Sequence, residues 1–283
     1  MSYLVLRCGS QARGDANPNS DHDFVCLHDE NQTPIKLIKE RYQQITFLSI
    51  DAIGRMKDKG ALFITHLDTD GVIVEGEEKL IDLIRGYRPS VISLKKTLKE
   101  TKMFAKSIEW LPCSSEGKFW FYDVIYVALR NILYCENAMR SSYCFGYTDA
   151  ALAFGMSNRE VDIMLQIRSG KYMYRREEYS DEVSLSGSID SVFELVNNII
   201  GQNLSFQIGG LTDWHGKWSY NYWDERIVER AIINDEIPDD GFRKMLKDHN
   251  YNRRVLVDEL KDRIKTAQQA PPAGATKTHD TEA

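Results

Sequence analysis

The feature that most constrains the fold of this chain is a polar segment enclosed by two short apolar stretches near the N-terminus. Residues 3–7 and 22–27 have the apolar character of β-strands, and Asp21 and Asp23 lie at the start of the second one. Side chains alternate along a strand, so these two carboxylates project from one face. Two carboxylates on one face repel each other unless a cation lies between them. The pattern therefore predicts a metal site at this strand.

The same polar segment begins with Gly9-Ser10, which is separated from Asp21 by ten residues. Gly9 has no side chain, so a phosphate can approach the backbone closely, and Ser10 offers a hydroxyl and a main-chain N–H. Hard divalent ions with oxygen ligands suit a carboxylate pair and also hold phosphates. We therefore expect Mg²⁺, with Mn²⁺ as the alternative ion, and a phosphate-bearing ligand beside it.

The hydropathy pattern changes near Pro89. Before it, short strands at 3–7, 22–27, 44–50 and 71–75 alternate with turns and amphipathic stretches, and after it the periodicity is helical. From residue 266 the chain is polar and rich in Ala, Pro and Thr. We predict an α/β sheet domain over residues 1–88, an all-α helical domain over 89–265 and a disordered tail over 266–283.

The composition narrows the class of protein. A net charge of −6 argues against a protein that coats nucleic acid by bulk attraction, although a local basic channel is compatible with it. The longest apolar runs fall well short of the ~20 residues that span a bilayer, and the first residues lack the features of a signal peptide. Five cysteines without a C-x-x-C motif fit a reducing compartment. These features predict a cytoplasmic protein with no membrane partner.

The N-terminal segment resembles the nucleotidyltransferase fold of the DNA polymerase beta superfamily, in its minimal or antibiotic-nucleotidyltransferase-like branch. In that superfamily a Gly-Ser turn is followed by an Asp-x-Asp strand. The matching residues are Gly9, Ser10, Arg13, Gly14, Asp15, Ser20, Asp21 and Asp23. The later segments 130–131 and 145–147 resemble, more weakly, the helical domain that such enzymes pack over the nucleotide.

The resemblance implies a metal-dependent enzyme that moves a nucleoside monophosphate from an NTP such as ATP to a hydroxyl acceptor and releases pyrophosphate. It assigns Asp21 and Asp23 as catalytic residues and metal ligands, and Gly9, Ser10 and Arg13 as nucleotide-binding residues. The acceptor can be a small molecule, a protein, an RNA end or a nucleotide. Proteins of this kind often serve in bacterial toxin–antitoxin or antiviral defence modules, which implies a partner protein from a neighbouring gene.

One departure from the family pattern concerns a third carboxylate on a neighbouring strand, whose expected position is occupied by Thr46. Asp51 lies at an odd offset from Thr46, so it is interpreted first as the N-cap of a helix. Asp68 and Asp70 are further candidates for the third position, with solvated turn residues as the alternative. The rival hypothesis is therefore a catalytically degenerate nucleotide-binding protein that acts as a regulatory or antitoxin-like partner.

Three further segments leave a functional and a structural interpretation open. They are the lysine face of Lys95, Lys99, Lys102 and Lys106, the cationic and aromatic segment 171–176, and the ring-rich segment 214–223. The lysine face is most simply a solvated helix surface. Residues 171–176 suit either single-strand binding or a packed loop edge, and the rings suit either base stacking or packing between helices.

Overall fold

A computed structural model of the chain describes residues 3–269, apart from 17, 19, 21, 30–32, 43, 179–188, 202 and 248–251. Asp21, one of the two predicted catalytic carboxylates, therefore lies outside the described residues, as does most of the predicted tail, 270–283. Asp23, Gly9, Ser10 and Arg13 are all described.

The N-terminal part is built on a mixed four-stranded sheet in the order β3-β2-β1-β4. Its strands are β1 (Tyr3–Cys8), β2 (Asp23–His28), β3 (Ile45–Ser49) and β4 (Val72–Gly76). Strand β1 is antiparallel to both β2 and β4, whereas β2 and β3 are parallel. The predicted strands are thus present, and no bound is shifted by more than one residue.

Helices cover both faces of this sheet. The helices of this part are α1 (Gly9–Arg13), α2 (Ile35–Arg41), α3 (Ile50–Asp58), α4 (Leu62–Asp70) and a 3₁₀ helix (Glu78–Leu83). On one face Leu4 and Leu6 pack with Ile53 of α3 and Ile64 of α4 in a buried cluster. On the other face the alternate residues of the strands pack against Ile38 of α2. This alternation is why the sheet is apolar on both sides.

The remainder of the chain is mainly helical. Its helices are α5 (Val91–Ser107), α6 (Ser115–Met139), α7 (Tyr147–Phe154), α8 (Asn158–Arg176), α9 (Ile189–Ile200), α10 (Tyr222–Ile233), α11 (Phe242–Lys247) and α12 (Arg253–Gln269). Two short parallel strands, β5 (Trp110–Leu111) and β6 (Gln207–Ile208), form a separate ladder. The long helix α6 is buried along most of its length and lies at the centre of the main core.

This architecture confirms the predicted fold class, an α/β sheet domain followed by a helical domain. The limits at residues 88 and 265 stay predictions. The last helix runs past the second of them, to Gln269, so residues 266–269 are helical and not part of a disordered tail. None of the helices in the described part of the chain has the length and apolar character needed to cross a membrane.

The start of α3 corrects one prediction. Strand β3 passes directly into α3, and the side chain of Ser49 accepts a 3.2 Å hydrogen bond from the backbone N–H of Ala52, so Ser49 is the N-cap. Asp51 instead lies in the first turn of the helix, where a negative charge interacts favourably with the helix dipole. The prediction of Asp51 as the N-cap was therefore wrong by two positions.

Candidate active site

The Gly-Ser turn and the Asp-x-Asp strand are brought together by the register of the sheet. Cys8, the last residue of β1, pairs with Asp23, the first residue of β2. Gly9 follows with a φ of 72°, a left-handed conformation that favours glycine. A Cβ atom at Gly9 would lie 2.5 Å from Oδ2 of Asp23. The absence of a side chain at Gly9 is thus what leaves room for the Asp23 carboxylate.

Arg13, the last residue of α1, is held by two carboxylates. Its guanidinium lies 2.9 Å from Oδ2 of Asp70 and 3.2 Å from Oδ1 of Asp15. Asp70 also lies 3.3 Å from Nε2 of His66. Burial alone would raise the pKa of Asp70, but the hydrogen bonds from His66 and Arg13 outweigh it and lower that pKa. The charge of Arg13 is therefore compensated inside the protein.

The sheet and the helical part enclose a cleft of about 770 Å³. We call its two sides the sheet wall and the helical wall. The sheet wall is lined by Cys8, Gly9, Ser10, Arg13, Asp15, Ser20, Asp23, Phe24, Val25, Gln44, Ile45, Thr46, Leu62, Phe63 and His66. The helical wall is lined by Thr97, Tyr126, Arg130, Asn131, Tyr134, Cys135, Phe145, Tyr147, Arg168, Lys171, Tyr172, Arg175 and Lys247.

The two walls differ in charge. Both described carboxylates that line the cleft, Asp15 and Asp23, belong to the sheet wall, which has Arg13 as its cation. The other lining cations belong to the helical wall and are Arg130, Arg168, Lys171, Arg175 and Lys247. An acidic chain thus carries the local basic surface that a phosphate ligand requires.

The helical wall is formed mainly by one face each of α6 and α8. On α8, Arg168, Lys171, Tyr172 and Arg175 follow the i, i+3, i+4, i+7 spacing that places residues on a single helix face. The sequence therefore contained part of the information for this wall, because segment 171–176 includes three of these four residues. The prediction did not include Arg168, and it did not place the segment opposite Asp23.

A buried acid anchors part of this wall. Asp123 of α6 is 1% exposed and accepts hydrogen bonds of 2.9 Å from Arg175 and 2.7 Å from Arg226. Burial would raise the pKa of Asp123, but Arg226 and Arg175 outweigh it and lower that pKa. The carboxylate is therefore ionised, and it fixes Arg175 at the cleft while it neutralises part of its charge.

The candidates for the third carboxylate lie at different places in the fold. In the parallel ladder Thr46 pairs with Val25, so it lies on the same face as Asp23, and it lines the cleft. Asp51 is exposed in α3, Asp68 forms an ion pair with Arg88, and Asp70 is bound to Arg13. None of these three carboxylates is among the residues that line the cleft.

The oxygen donors beside Gly9 suit a hard divalent ion such as Mg²⁺. Asp23 supplies carboxylate oxygens, and Ser10 and Thr46, which line the same cleft, supply hydroxyls. Hard oxygen donors of this kind fit Mg²⁺ or Mn²⁺ and do not select softer metals. Within the described residues, which omit Asp21, no group of three or more His, Cys, Asp or Glu side chains could hold a metal ion.

The lysine face of α5 and the ring-rich segment 214–223, whose roles the sequence left open, make contacts within the protein. Lys102 pairs with Glu136 at 3.3 Å, and none of the four lysines of the α5 face lines the cleft. Trp214 stacks with Trp218 at 5.8 Å, and Trp223 stacks on Phe104 at 4.1 Å. The solvated-face and helix-packing interpretations are the ones that these contacts support.

Comparison with known families identifies the segment that carries the Gly-Ser turn. Residues 3–110 match the model of the nucleotidyltransferase domain family. The N-terminal part of this chain is similar to a nucleotidyltransferase domain. The match confirms the resemblance predicted from Gly9, Ser10 and the Asp-x-Asp strand. No curated protein and no solved structure matches the chain.

The two walls of the cleft differ in how far the matched segment covers them. Every described residue of the sheet wall lies within the matched segment, whereas Thr97 is the only described helical-wall residue within it. The cationic side of the cleft is therefore supplied by sequence beyond the matched segment.

Proposed function

We propose that this protein is a Mg²⁺-dependent nucleotidyltransferase that moves a nucleoside monophosphate from an NTP to a hydroxyl acceptor. The observation that carries the proposal is the contact between Gly9 and Asp23 at a cleft whose opposite wall is cationic. A carboxylate that can hold a metal and a basic surface that can hold phosphates face the same space. The nucleotidyltransferase domain family supports this general activity.

The proposal assigns Asp23, together with Asp21, as the metal ligands, and Ser10 as a donor to a phosphate oxygen. A divalent ion bound there supplies the charge stabilisation and the activation of the acceptor hydroxyl that phosphoryl transfer requires. Because Gly9 has no side chain, its backbone can lie next to the Asp23 carboxylate. Arg13 acts mainly by fixing Asp15 and Asp70, since both carboxylates already compensate its charge.

The second candidate is a nucleotide-binding regulatory protein without turnover. Thr46 favours it, because this residue lies on the face of Asp23 where the family has a further carboxylate. None of the alternatives Asp51, Asp68 and Asp70 is a lining residue of the cleft. A site with fewer carboxylates holds divalent ions less tightly. Such a protein would bind an NTP through the same cleft and would release no pyrophosphate.

Pyrophosphate release from labelled NTPs in the presence of Mg²⁺ or Mn²⁺ separates the two candidates. The transferase hypothesis expects release by the wild type and its loss in Asp23→Asn. Asp58→Asn, at the exposed end of α3, is the matched control and should keep full activity. Binding of a non-hydrolysable NTP without turnover of any NTP, also when cell extract supplies acceptors, would establish the regulatory alternative.

The biological setting belongs to the same proposal. The acceptor is a hydroxyl of a small molecule, a protein, an RNA end or a nucleotide, and the resemblance supports a bacterial defence or toxin–antitoxin module with a partner from a neighbouring gene. Mass spectrometry of extract components after incubation with protein and labelled ATP tests this. A discrete labelled acceptor supports transfer, and label found only in free nucleotides opposes a macromolecular acceptor.

A further inference from the structure

Arg130 is a helical-wall residue whose guanidinium lies between two tyrosine rings. Arg130 lies in α6 and is partly buried. Its Nε atom is buried and has no hydrogen-bond partner. The guanidinium carbon lies 5.6 Å from the centre of the Tyr126 ring and 5.9 Å from that of Tyr134. Aromatic faces attract a cation but do not neutralise it.

The tyrosines beside Arg130 supply no negative charge. Burial raises the pKa of Tyr134 to about 12, and burial also raises the pKa of Tyr126, so both hydroxyls stay protonated at neutral pH. In the part of the chain that the structure describes, Arg130 makes no ion pair with a carboxylate, in contrast to Arg13, Arg175 and Lys247 on the same cleft. A partly desolvated cation without a counter-charge is unfavourable on its own.

Arg168 of α8 repeats this arrangement across the wall. Its guanidinium carbon lies 5.5 Å from the centre of the Tyr147 ring, and within the described residues it forms no ion pair with a carboxylate. The Tyr147 ring lies 4.7 Å from that of Tyr126, so the rings that hold the two arginines are in contact. Both arginines line the cleft that also contains Asp23.

We propose that Arg130 and Arg168 form a phosphate-binding site on the helical wall, and that its ligand is a polyphosphate or phosphomonoester group. The anion supplies the negative charge that no described carboxylate provides to these arginines. A planar guanidinium group can donate two parallel hydrogen bonds to two phosphate oxygens. The tyrosine rings keep both side chains oriented toward the cleft. The phosphate comes from the triphosphate of the NTP or from a phosphorylated acceptor.

The inference rests on the proposed function for the identity of the ligand, but its test does not depend on turnover. Calorimetric titration with inorganic tripolyphosphate, without a divalent ion, measures the affinity that the protein side chains provide without a metal. We expect Arg130→Gln and Arg168→Gln each to weaken binding about tenfold or more, since each removes a charge-assisted hydrogen bond. Arg159→Gln is the matched control, because Arg159 lies on the exposed face of the same helix α8 and should change affinity less than about twofold.

A second titration distinguishes the sources of the phosphate. If a saturating α,β-methylene NTP with Mg²⁺ blocks tripolyphosphate binding, the site holds the triphosphate of the NTP. If tripolyphosphate still binds and Arg130→Gln still weakens it, the site holds the phosphate of the acceptor. Asp23→Asn should keep tripolyphosphate binding, so a phosphate site without transferase activity would be recognised as such.

The proposal fails if the wild type does not bind tripolyphosphate, or if both glutamine variants bind it as the wild type does. Circular dichroism of each variant shows whether it is folded. Arg130→Lys keeps the charge and loses the planar fork, so an affinity between those of wild type and Arg130→Gln is expected. Because Arg168 lies on a different helix, Arg168→Gln provides the test even if Arg130→Gln does not fold.

Discussion

The backbone of Gly9 lies so close to Asp23 that a Cβ atom would stand 2.5 Å from the carboxylate oxygen Oδ2. The obstructed atom is the end of a side chain, so a substitution there is relieved by moving the carboxylate and not by unfolding the sheet. Gly14 has a similar left-handed φ, 81°, but nothing lies within 4 Å of its added Cβ. The two glycines therefore separate backbone strain from displacement of the carboxylate.

Gly9→Ala and Gly14→Ala should each lower the free energy of unfolding by about 1–2 kcal/mol, the cost of a left-handed L-residue. Only Gly9→Ala should also abolish pyrophosphate release and weaken Mg²⁺ binding, because it displaces Asp23. Urea unfolding and a metal titration on both variants provide the comparison. Equal activity of the two variants would show that the Asp23 carboxylate does not depend on Gly9.

Replacing Thr46 tests the missing carboxylate. Thr46→Asp adds a charge on the face of Asp23, and we expect it to tighten Mg²⁺ binding about tenfold, because charge count sets the affinity of oxygen sites for divalent ions. Thr46→Asn has nearly the same shape without the charge and should leave the affinity near that of the wild type. If the two variants bind Mg²⁺ equally, Thr46 does not occupy the third position.

The ion pair between Arg13 and Asp70 predicts a pH dependence of stability. The folded-state pKa of Asp70 lies below its unfolded value, so this carboxylate stabilises the fold above about pH 4, and the stabilisation is lost as the pH falls through the folded pKa. Asp70→Asn should cost about 1–3 kcal/mol at neutral pH. The difference from wild type should shrink as the pH falls below about 4, as measured by urea unfolding.

The control for this prediction is Asp82→Asn. Asp82 pairs with Arg85, but both side chains are about two thirds exposed, at 65% and 66%. Such pairs contribute little, so the stability of this variant should follow that of the wild type at every pH. A constant difference between Asp70→Asn and wild type across the pH range would contradict the role given to the Asp70 charge.

Two arginines of the helical part should respond oppositely to the loss of their charge. Arg226 is 7% exposed and lies within 2.9 Å of both Asp123 and Glu229, so Arg226→Gln leaves buried carboxylates short of a partner and should cost about 3–5 kcal/mol. Arg130 lies near the rings of Tyr126 and Tyr134 and forms no ion pair with a described carboxylate, so Arg130→Gln should leave the stability of the ligand-free protein unchanged or slightly higher. Thermal unfolding without phosphate compares them, and a large loss for Arg130→Gln would indicate a structural role.

Local patterns predicted the sheet well. Strands β1 and β2 follow from short apolar runs, and the Gly-Ser and Asp-x-Asp segments meet because adjacent antiparallel strands bring Cys8 opposite Asp23. The cap of α3 was missed because β3 passes into the helix without a loop, which leaves Ser49 and Asp51 as equally plausible caps in the sequence. The choice between them depends on where the strand ends.

The helical wall could not be assembled from the sequence. It combines α6 and α8 with Lys247 of α11, and only their packing shows that Arg130 faces the same space as Asp23. The spacing of Arg168, Lys171 and Arg175 predicts a common helix face, but it does not predict which part of the protein that face lies opposite. The ion pairs that neutralise Arg13 and Arg175 also join residues far apart in the chain, so the sequence could not show which cations keep their charge.

The separation of charges between the two walls has a consequence for how a ligand enters. The described carboxylates lie on one side of the cleft and most of the cations lie on the other, so the electric field across the opening has a single direction. A molecule that carries its negative charge at one end is turned by this field before it makes any contact. If the cleft binds a nucleotide, we expect this field to orient the incoming molecule, and added salt should slow productive capture more than it slows release.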